Sequence, residues 1–244
     1  MCVIVVLPAY NAAQTLYKTY HEIPHELVTE VILCDDFSSD HTSEVAHAIG
    51  IKQVIRHEQN RGYGANQKTL YNAALESGAE IVIMLHPDYQ YNPALMTSMI
   101  SLIQEGVFDM VMGSRILGGG ALHGGMPMYK YIANRFLTLW QNVLLGEKLS
   151  EYHTGYRAYR GEVLRNIAYE ENSDDFIFDN QILSQIILAG YRIGEISCPA
   201  YYDESSSSIG FAASVKYGFG VLKVTLQHLL QKWGILQLKR YGST

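Results

Sequence analysis

In the stretch Ala79-Glu80-Ile81-Val82-Ile83-Met84-Leu85-His86-Pro87-Asp88-Tyr89-Gln90, an apolar run rich in Ile and Val stops abruptly at polar residues. Such a run predicts a buried strand of a parallel sheet. Proline cannot continue a central strand, so Pro87 ends it and leaves Asp88 in the loop at its carboxyl end. Open α/β sheets bind ligands in the crevice outside those ends. Asp88 is then either an ordinary turn residue or a carboxylate placed where a nucleotide and its metal would lie. The other strand ends bear on that choice.

Upstream, Val3 to Leu7 predicts a first strand and Val28 to Cys34 a second. The first runs into Pro8-Ala9-Tyr10-Asn11, where Asn11 is placed to cap a helix with Leu16, Tyr20 and Ile23 inward. The second runs into Asp35-Asp36-Phe37-Ser38-Ser39-Asp40, whose acids and hydroxyls can cap the next helix or hold a ribose and base. Lys52 to Ile55 is a third short strand, followed by Gly62-Tyr63-Gly64 before a helix ending at Gly78. Glycines there allow a phosphate to approach the backbone at a helix N-terminus, although no complete phosphate-loop motif is present.

Downstream, Asn92-Pro93 starts a helix with Leu95, Met99, Leu102 and Ile103 on its buried side, and Gly106 closes it. Asp109 to Met112 is a further strand, ending at Gly113-Ser114-Arg115. The alternation predicts a mostly parallel sheet with helices on both faces. After the glycines at 118–120 and 124–125 comes a long helix with Ile132, Phe136, Leu139, Trp140 and Val143 expected inward. His153-Thr154-Gly155-Tyr156-Arg157, a helical piece around Val163 to Ile167, a helix from Asn180 and a last strand over Arg192 to Cys198 complete the body. Asp179 fits the N-cap of that helix, and also a carboxylate facing the crevice.

The chain has 244 residues, 48% of them apolar and 17% charged, which suits one large core with a smaller appendage. Three scattered cysteines point to reduced thiols in a core. The opening Met1-Cys2-Val3-Ile4 lacks a basic region and a cleavage site and reads as strand, and no apolar run is long enough to span a bilayer. Net charge is −6, yet beyond Glu204 there are five cations and no acid, so the remainder carries −11. In that tail, after Ser205 to Ser208, Phe211, Val215, Phe219, Leu222, Leu226, Leu229, Leu230 and Trp233 form one helical stripe with Lys216, Lys223 and Lys232 off it. Such a helix lies in a membrane interface or packs on the domain or on a second subunit. Gly218 and Gly220 weaken it locally. The acidic body disfavours nucleic acid.

His21-Glu22-Ile23-Pro24-His25 matches a zinc-protease pattern, but that chemistry needs both histidines on one helical face and Pro24 breaks the helix between them. His86 lies two residues before Asp88 and so points the same way along an extended segment. Imidazole suits zinc, copper or iron, whereas Mg²⁺ and Mn²⁺ suit the oxygens of Asp88 and Gln90.

Together, Pro8-Ala9-Tyr10-Asn11, Asp35-Asp36-Phe37-Ser38-Ser39-Asp40, His86-Pro87-Asp88-Tyr89-Gln90, Gly113-Ser114-Arg115 and Thr154-Gly155-Tyr156-Arg157 resemble the family 2 glycosyltransferases, near the dolichol-phosphate mannose synthase and polyprenyl-phosphate glycosyltransferase branch. The resemblance covers roughly residues 3–200. It implies a GT-A fold over 1–200, with a nucleotide-sugar-binding half at 1–115, an acceptor half at 116–200 and the basic tail at 201–244. It also implies a UDP- or GDP-sugar donor, inversion at the anomeric carbon, and Mg²⁺ or Mn²⁺. The acceptor it implies is a lipid phosphate or a glycan precursor. The chain is then expected in the cytoplasm, with peripheral contact at the membrane face through 211–240, or as a homodimer.

By position, Pro8, Tyr10, Asn11 and Asp36 correspond to nucleoside-binding residues, with Asp35 beside them, and Lys68 to a diphosphate-side contact. Asp88 corresponds to the metal-bridging acid of Asp-x-Asp, with Gln90 and His86 as candidate partners. Arg115 and Arg157 correspond to cations for the leaving diphosphate or an acceptor phosphate, and Asp179 to a base for a hydroxyl acceptor. The departures are His86 in place of the first acid and Phe37 where Gly is frequent. A nucleotide-sugar binder with weak or no activity, a transferase using a soluble hydroxyl acceptor and a nucleotidyltransferase are the alternatives. The last usually carries a glycine-rich signature near its start, which is not seen here.

Overall fold

The structure is a computed structural model that describes residues 1–199 and 211–242. The serine run 205–208 and the boundary at 200/201 lie outside the described residues. In chain order come β1 (Val3–Ala9), α1 (Leu16–His21), β2 (Glu30–Asp35), α2 (Thr42–Ala48), β3 (Gln53–Arg56), α3 (Tyr63–Glu76) and β4 (Ile81–Met84). They are followed by α4 (Met96–Gln104), β5 (Met110–Ser114), α5 (Met128–Leu145), β6 (Arg157–Arg160), α6 (Gly161–Asn166), α7 (Phe178–Leu188), β7 (Ile193–Ser197) and α8 (Phe211–Lys232).

Among the described residues the strands form one sheet in the order β3-β2-β1-β4-β6-β5-β7. Successive side chains alternate between its faces, as period-two geometry requires. Ile4, Val6, Ile32, Val82 and Met84 pack under α3, α6 and α7, while Val5, Leu33, Ile83 and Val111 pack under α1, α2 and α4. Every residue of β1 and β4 is buried, which explains their unbroken apolar sequence.

All pairings are parallel except those of β6, which runs antiparallel between β4 and β5. This strand was not expected, because four residues, Arg-Ala-Tyr-Arg, give too short a run for a pattern. Its direction has a consequence for the site. Arg157 pairs with Met84 and Met112, so the start of β6 lies at the carboxyl edge of its parallel neighbours.

Two helices reverse the expected facing. On α5, Ile132, Phe136, Leu139, Trp140 and Val143 are 43–71% exposed, while Asn134, Leu137, Thr138, Gln141 and Leu145 face the domain. On α8, Val215, Phe219 and Leu226 are exposed, as is Trp233 just beyond it, although Leu229 is buried. Its inner residues are Val221, Val224, Thr225, His228 and Gln231, packed toward α5 and α7. Gly220 serves that contact, since a Cβ there would lie 2.9 Å from Ile177. Helix α7 starts at Phe178 behind Ile177, so Asp179 sits inside the first turn and is not the cap. Asn11 likewise does not cap α1, which begins after Thr15.

Candidate active site

The loops at the carboxyl edge of the sheet surround a cavity of about 710 Å³. Pro8 at the end of β1, Tyr10 and Asn11 after it, Asp36 after β2, His86, Asp88 and Gln90 after β4, Arg115 after β5 and Asp179 on α7 all line it. Three non-glycine residues with positive φ stand at these strand ends: Asn11 (52°), Phe37 (66°) and Tyr89 (59°). Left-handed backbone at such residues is costly and clusters at functional sites. At Phe37 this is a backbone conformation that glycine adopts without steric cost.

Each bend aims particular groups. At Asn11 the side-chain Oδ1 accepts from Ser39 N (2.9 Å) and Oγ (3.1 Å), joining the β1 and β2 loops. Asp36 Oδ1 accepts from His57 Nδ1 (2.6 Å) and Arg61 N (2.8 Å), and Oδ2 from Gly62 N (2.9 Å). Tyr89 turns outward, its hydroxyl on Glu22 (2.5 Å) and Lys18 over its ring, while Asp88 Oδ1 accepts from Gln90 N (3.1 Å). Asp88 and Gln90 are thereby left on the cavity side.

Four expected residues take other work. Asp35 is fully buried and its carboxylate accepts from Ser38 N (2.8 Å) and Ser43 Oγ (2.5 Å), so it organises its own loop and does not line the cavity. Lys68 reaches Asn172 O (2.5 Å) and Asp174 Oδ1 (2.8 Å), again outside the lining. The glycines before it accommodate that same segment: a Cβ on Gly62 would lie 2.5 Å from Asp174 O, and one on Gly64 2.3 Å from Ser173 O. Protein backbone therefore fills the close approach expected for phosphate.

Arg157 is fully buried, donating to Thr154 O (2.8 Å), Asp179 O (2.9 Å) and Tyr152 O (3.1 Å). It does not line the cavity and cannot touch a phosphate there. Burial opposes its charge, but the Asp179 carboxylate, with Oδ1 3.6 Å away, raises its pKa further above the ordinary range. Arg157 is a positioning residue for Asp179.

His86 is the fourth. Tyr63 OH donates to Asp179 Oδ2 (2.8 Å), so its oxygen accepts from His86 Nε2 (3.1 Å), which assigns the Nε2–H tautomer. The rings stack at 3° and 5.5 Å. Gly155 is needed beside them, since a Cβ there would lie 2.4 Å from Nε2. That nitrogen is engaged with Tyr63 and is therefore not the one His86 would offer to a metal. Gln67 Nε2 adds a bond to Asp179 Oδ1 (3.1 Å), so Tyr63, Gln67 and Arg157 together fix this carboxylate. Burial, then Asp179, pushes the Tyr63 phenol well above its ordinary pKa and keeps it a donor.

Arg115 and Lys130 bring cations to the same lining. Arg115 Nε donates to the buried Glu151 (2.9 Å), Nη2 also pairs with Glu151, and Nη2 reaches His153 O (2.8 Å). Burial would raise the Glu151 carboxyl, but Arg115 holds it below the usual range. Asn134 Nδ2 of α5 completes the anchor at 2.8 Å. Lys130, lowered in pKa by burial and by Arg115, lines the cavity with His153 and with Ser214 and Tyr217 of α8. His153 Nδ1 meets Tyr217 OH at 3.0 Å. The tail helix is therefore a wall of the cavity and not only an appendage.

Tyr63, Gln67, Lys130, Glu151 and Tyr217 were not singled out from sequence. Tyr63 alone had a signal there, an aromatic between two glycines. The rest depend on packing between distant segments.

The family model for glycosyl transferase family 2 matches residues 4–168. A dolichyl-phosphate hexose transferase of Haloferax volcanii is 27% identical over 231 residues, covering 93% of this chain and 95% of its own. A polyprenol monophosphomannose synthase of Mycolicibacterium smegmatis is 22% identical, over 95% of this chain and 86% of its own. Glucosyl-3-phosphoglycerate synthase of Mycobacterium tuberculosis, crystallised with Mn²⁺, UDP and glucosyl-3-phosphoglycerate, superposes with a TM-score of 0.69. It is 18% identical, over 97% of this chain and 81% of that one. The chain belongs to glycosyl transferase family 2 and is a glycosyltransferase of GT-A fold, with polyprenyl-phosphate glycosyltransferases among its relatives.

Proposed function

We propose that the protein transfers a sugar from a UDP- or GDP-sugar to the phosphate of a polyprenyl phosphate, with inversion at the anomeric carbon. The observation that carries this reading is that Asp36, Asp88, Asp179, Arg115 and Lys130, from separate loops and helices, all line one cavity. Residues 1–115 would hold the donor and 116–200 the acceptor, at the cytoplasmic membrane face.

The donor set suits Mg²⁺ or Mn²⁺: the oxygens of Asp88 and Gln90 are hard ligands. Among the described residues no group of three His, Cys, Asp or Glu could hold an ion unaided. One carboxylate completed by substrate phosphates is a usual mode for Mg²⁺. Such an ion, when bound, neutralises charge on the leaving diphosphate.

A phosphate oxygen of the acceptor attacks the anomeric carbon from the face opposite the diphosphate. The bond from that carbon to the diphosphate oxygen breaks, and its electron pair leaves with the nucleotide. One displacement inverts the centre. The acceptor phosphate, with a second pKa of about 6, arrives largely ionised and needs no general base. Arg115, fixed by Glu151, and Lys130 would hold it, and Asp179 would position the sugar.

Product analysis after incubation with UDP- and GDP-sugars, polyprenyl phosphate and Mn²⁺ tests this. A sugar-phosphate-lipid that requires one nucleotide class and the metal is expected; transfer only to hydroxyl acceptors overturns it. Asp179, because it faces the cavity, also supports a second reading, as base for a soluble hydroxyl acceptor.

A further inference from the structure

His153 lines the cavity and its Nδ1 meets the Tyr217 hydroxyl at 3.0 Å, yet its Nε2 is buried with no hydrogen-bond partner among the described residues. Buried polar atoms left in this way are uncommon in native proteins, because the lost hydration goes unrepaid. Among the described residues, two such atoms belong to side chains that line the cavity: His153 Nε2 and Asn66 Oδ1.

The chain of bonds behind His153 says whether its free nitrogen gives or takes a proton. Gln141 Nε2 donates to Asn180 Oδ1 (2.9 Å), so the Asn180 amide nitrogen faces Tyr217 and donates to the phenol oxygen. Tyr217 then has its own hydrogen for His153 Nδ1, and this network assigns the ring proton to Nε2. The Asn66 atom is an acceptor, so His153 supplies the one unused buried donor of the two. Burial lowers the His153 pKa to about 4; Glu151 opposes that shift, while Arg115 and Arg157 add to it. At neutral pH the ring is therefore uncharged and offers a single N–H.

The neighbours select what that N–H meets. Arg115 Nη2 donates to the His153 carbonyl (2.8 Å), and Arg115 and Lys130 line the same cavity. These two cations already repel, since Arg115 contributes to the lowered pKa of Lys130. A neutral donor beside them adds a bond to an anionic oxygen without adding a third positive charge. A phosphate oxygen fits both the cations and the donor.

We infer that His153 Nε2–H donates to an oxygen of the acceptor phosphate, and that Tyr217 of α8 is the positioning residue that fixes the ring and its tautomer. This rests on the reading of Arg115 and Lys130 as the cations that hold that phosphate.

The test is steady-state transfer to polyprenyl phosphate at saturating donor, with Mn²⁺-dependent UDP and GDP affinity measured on the same samples. The acceptor loses charge as its oxygen bonds to carbon, so a donor to it favours the bound ground state and its loss appears in KM. His153→Leu should raise acceptor KM about 10–100-fold, the worth of one hydrogen bond to a charged group, with nucleotide affinity unchanged. In His153→Gln the amide nitrogen reaches the Nε2 position and restores most of the loss. In His153→Asn it reaches only the Nδ1 position, keeps the Tyr217 contact and restores little. Tyr217→Phe should raise acceptor KM in the wild type and have no effect in His153→Gln, which has no Nδ1 to position. Rescue by Asn and not by Gln means that the ring serves only the packing of α8, and overturns the inference. So does a loss that falls on nucleotide affinity, which would put the donor on the leaving diphosphate, or an unchanged acceptor KM in His153→Leu. Should His153→Leu fail to fold, the Gln and Asn pair decides alone. The wild type separates the two readings: no transfer to polyprenyl phosphate sinks both, whereas transfer indifferent to residue 153 sinks this one only.

Discussion

Asp179→Asn tests the buried pair that holds the centre of the site. The carboxylate lies 3.6 Å from the Arg157 guanidinium, which is fully buried. At an effective dielectric of about 20, unit charges at that separation attract by about 5 kcal/mol. The amide keeps the shape, and Arg157 retains its three carbonyl acceptors, so what is lost is the charge and one of the two oxygens that accept from Tyr63 and Gln67. Breaking such a pair typically costs about 3–5 kcal/mol. For a chain of this size each kcal/mol lowers Tm by about 2–4 °C, so a drop of about 6–20 °C is expected. The assay is thermal and urea denaturation of Asp179→Asn, Arg157→Met and the double variant. The double variant should be less destabilised than the sum of the singles by about 2–3 kcal/mol, as for coupled contacting residues. Additivity within about 0.5 kcal/mol would refute the pairing. Nucleotide affinity below the melting range gives a second check: Arg157→Met should leave it unchanged.

Asp88→Ala should abolish the Mn²⁺-dependent part of UDP or GDP affinity, more than the about 10–100-fold typical of losing a supporting residue, and unaltered calorimetric titration contradicts a metal role. Tyr63→Phe removes the donor to Asp179; a misplacement near 1 Å would lower kcat about a hundredfold with donor KM little changed, whereas a lower Tm at full kcat would mean a merely structural hydroxyl. Stability should also fall in acid. Burial lowers the His228 and His153 pKa values to about 4 from 6.5, so below pH 6.5 the unfolded chain binds more protons than the native one. Each histidine then removes up to about 3 kcal/mol as pH drops from 6.5 through 4. Urea midpoints that are flat between those pH values in the wild type, or that keep their full slope in His228→Gln, contradict this.

The sheet and the order of its loops were legible in sequence because buried parallel strands must be continuously apolar and ligand loops must follow them. The runs 3–7, 28–34 and 81–85 needed no partner to be recognised, and Pro87 marked where the pocket begins. Strand β6 was hidden because four residues carry too little periodicity, and its antiparallel direction is a property of the whole sheet. Sequence placed Asp35, Lys68 and Arg157 among ligands because it records residue type, not the direction in which a side chain points. Contacts from residues 8 to 116 positions away turned Ser43 toward Asp35, Asn172 and Asp174 toward Lys68, Asp179 toward Arg157 and Tyr63 toward His86 and Asp179. The facing of α5 and α8 marks the same division. Their periodicity fixes that each has an apolar side, but which side meets the domain depends on polar partners such as Glu151, Asn180 and Ser184, brought there only by the tertiary fold.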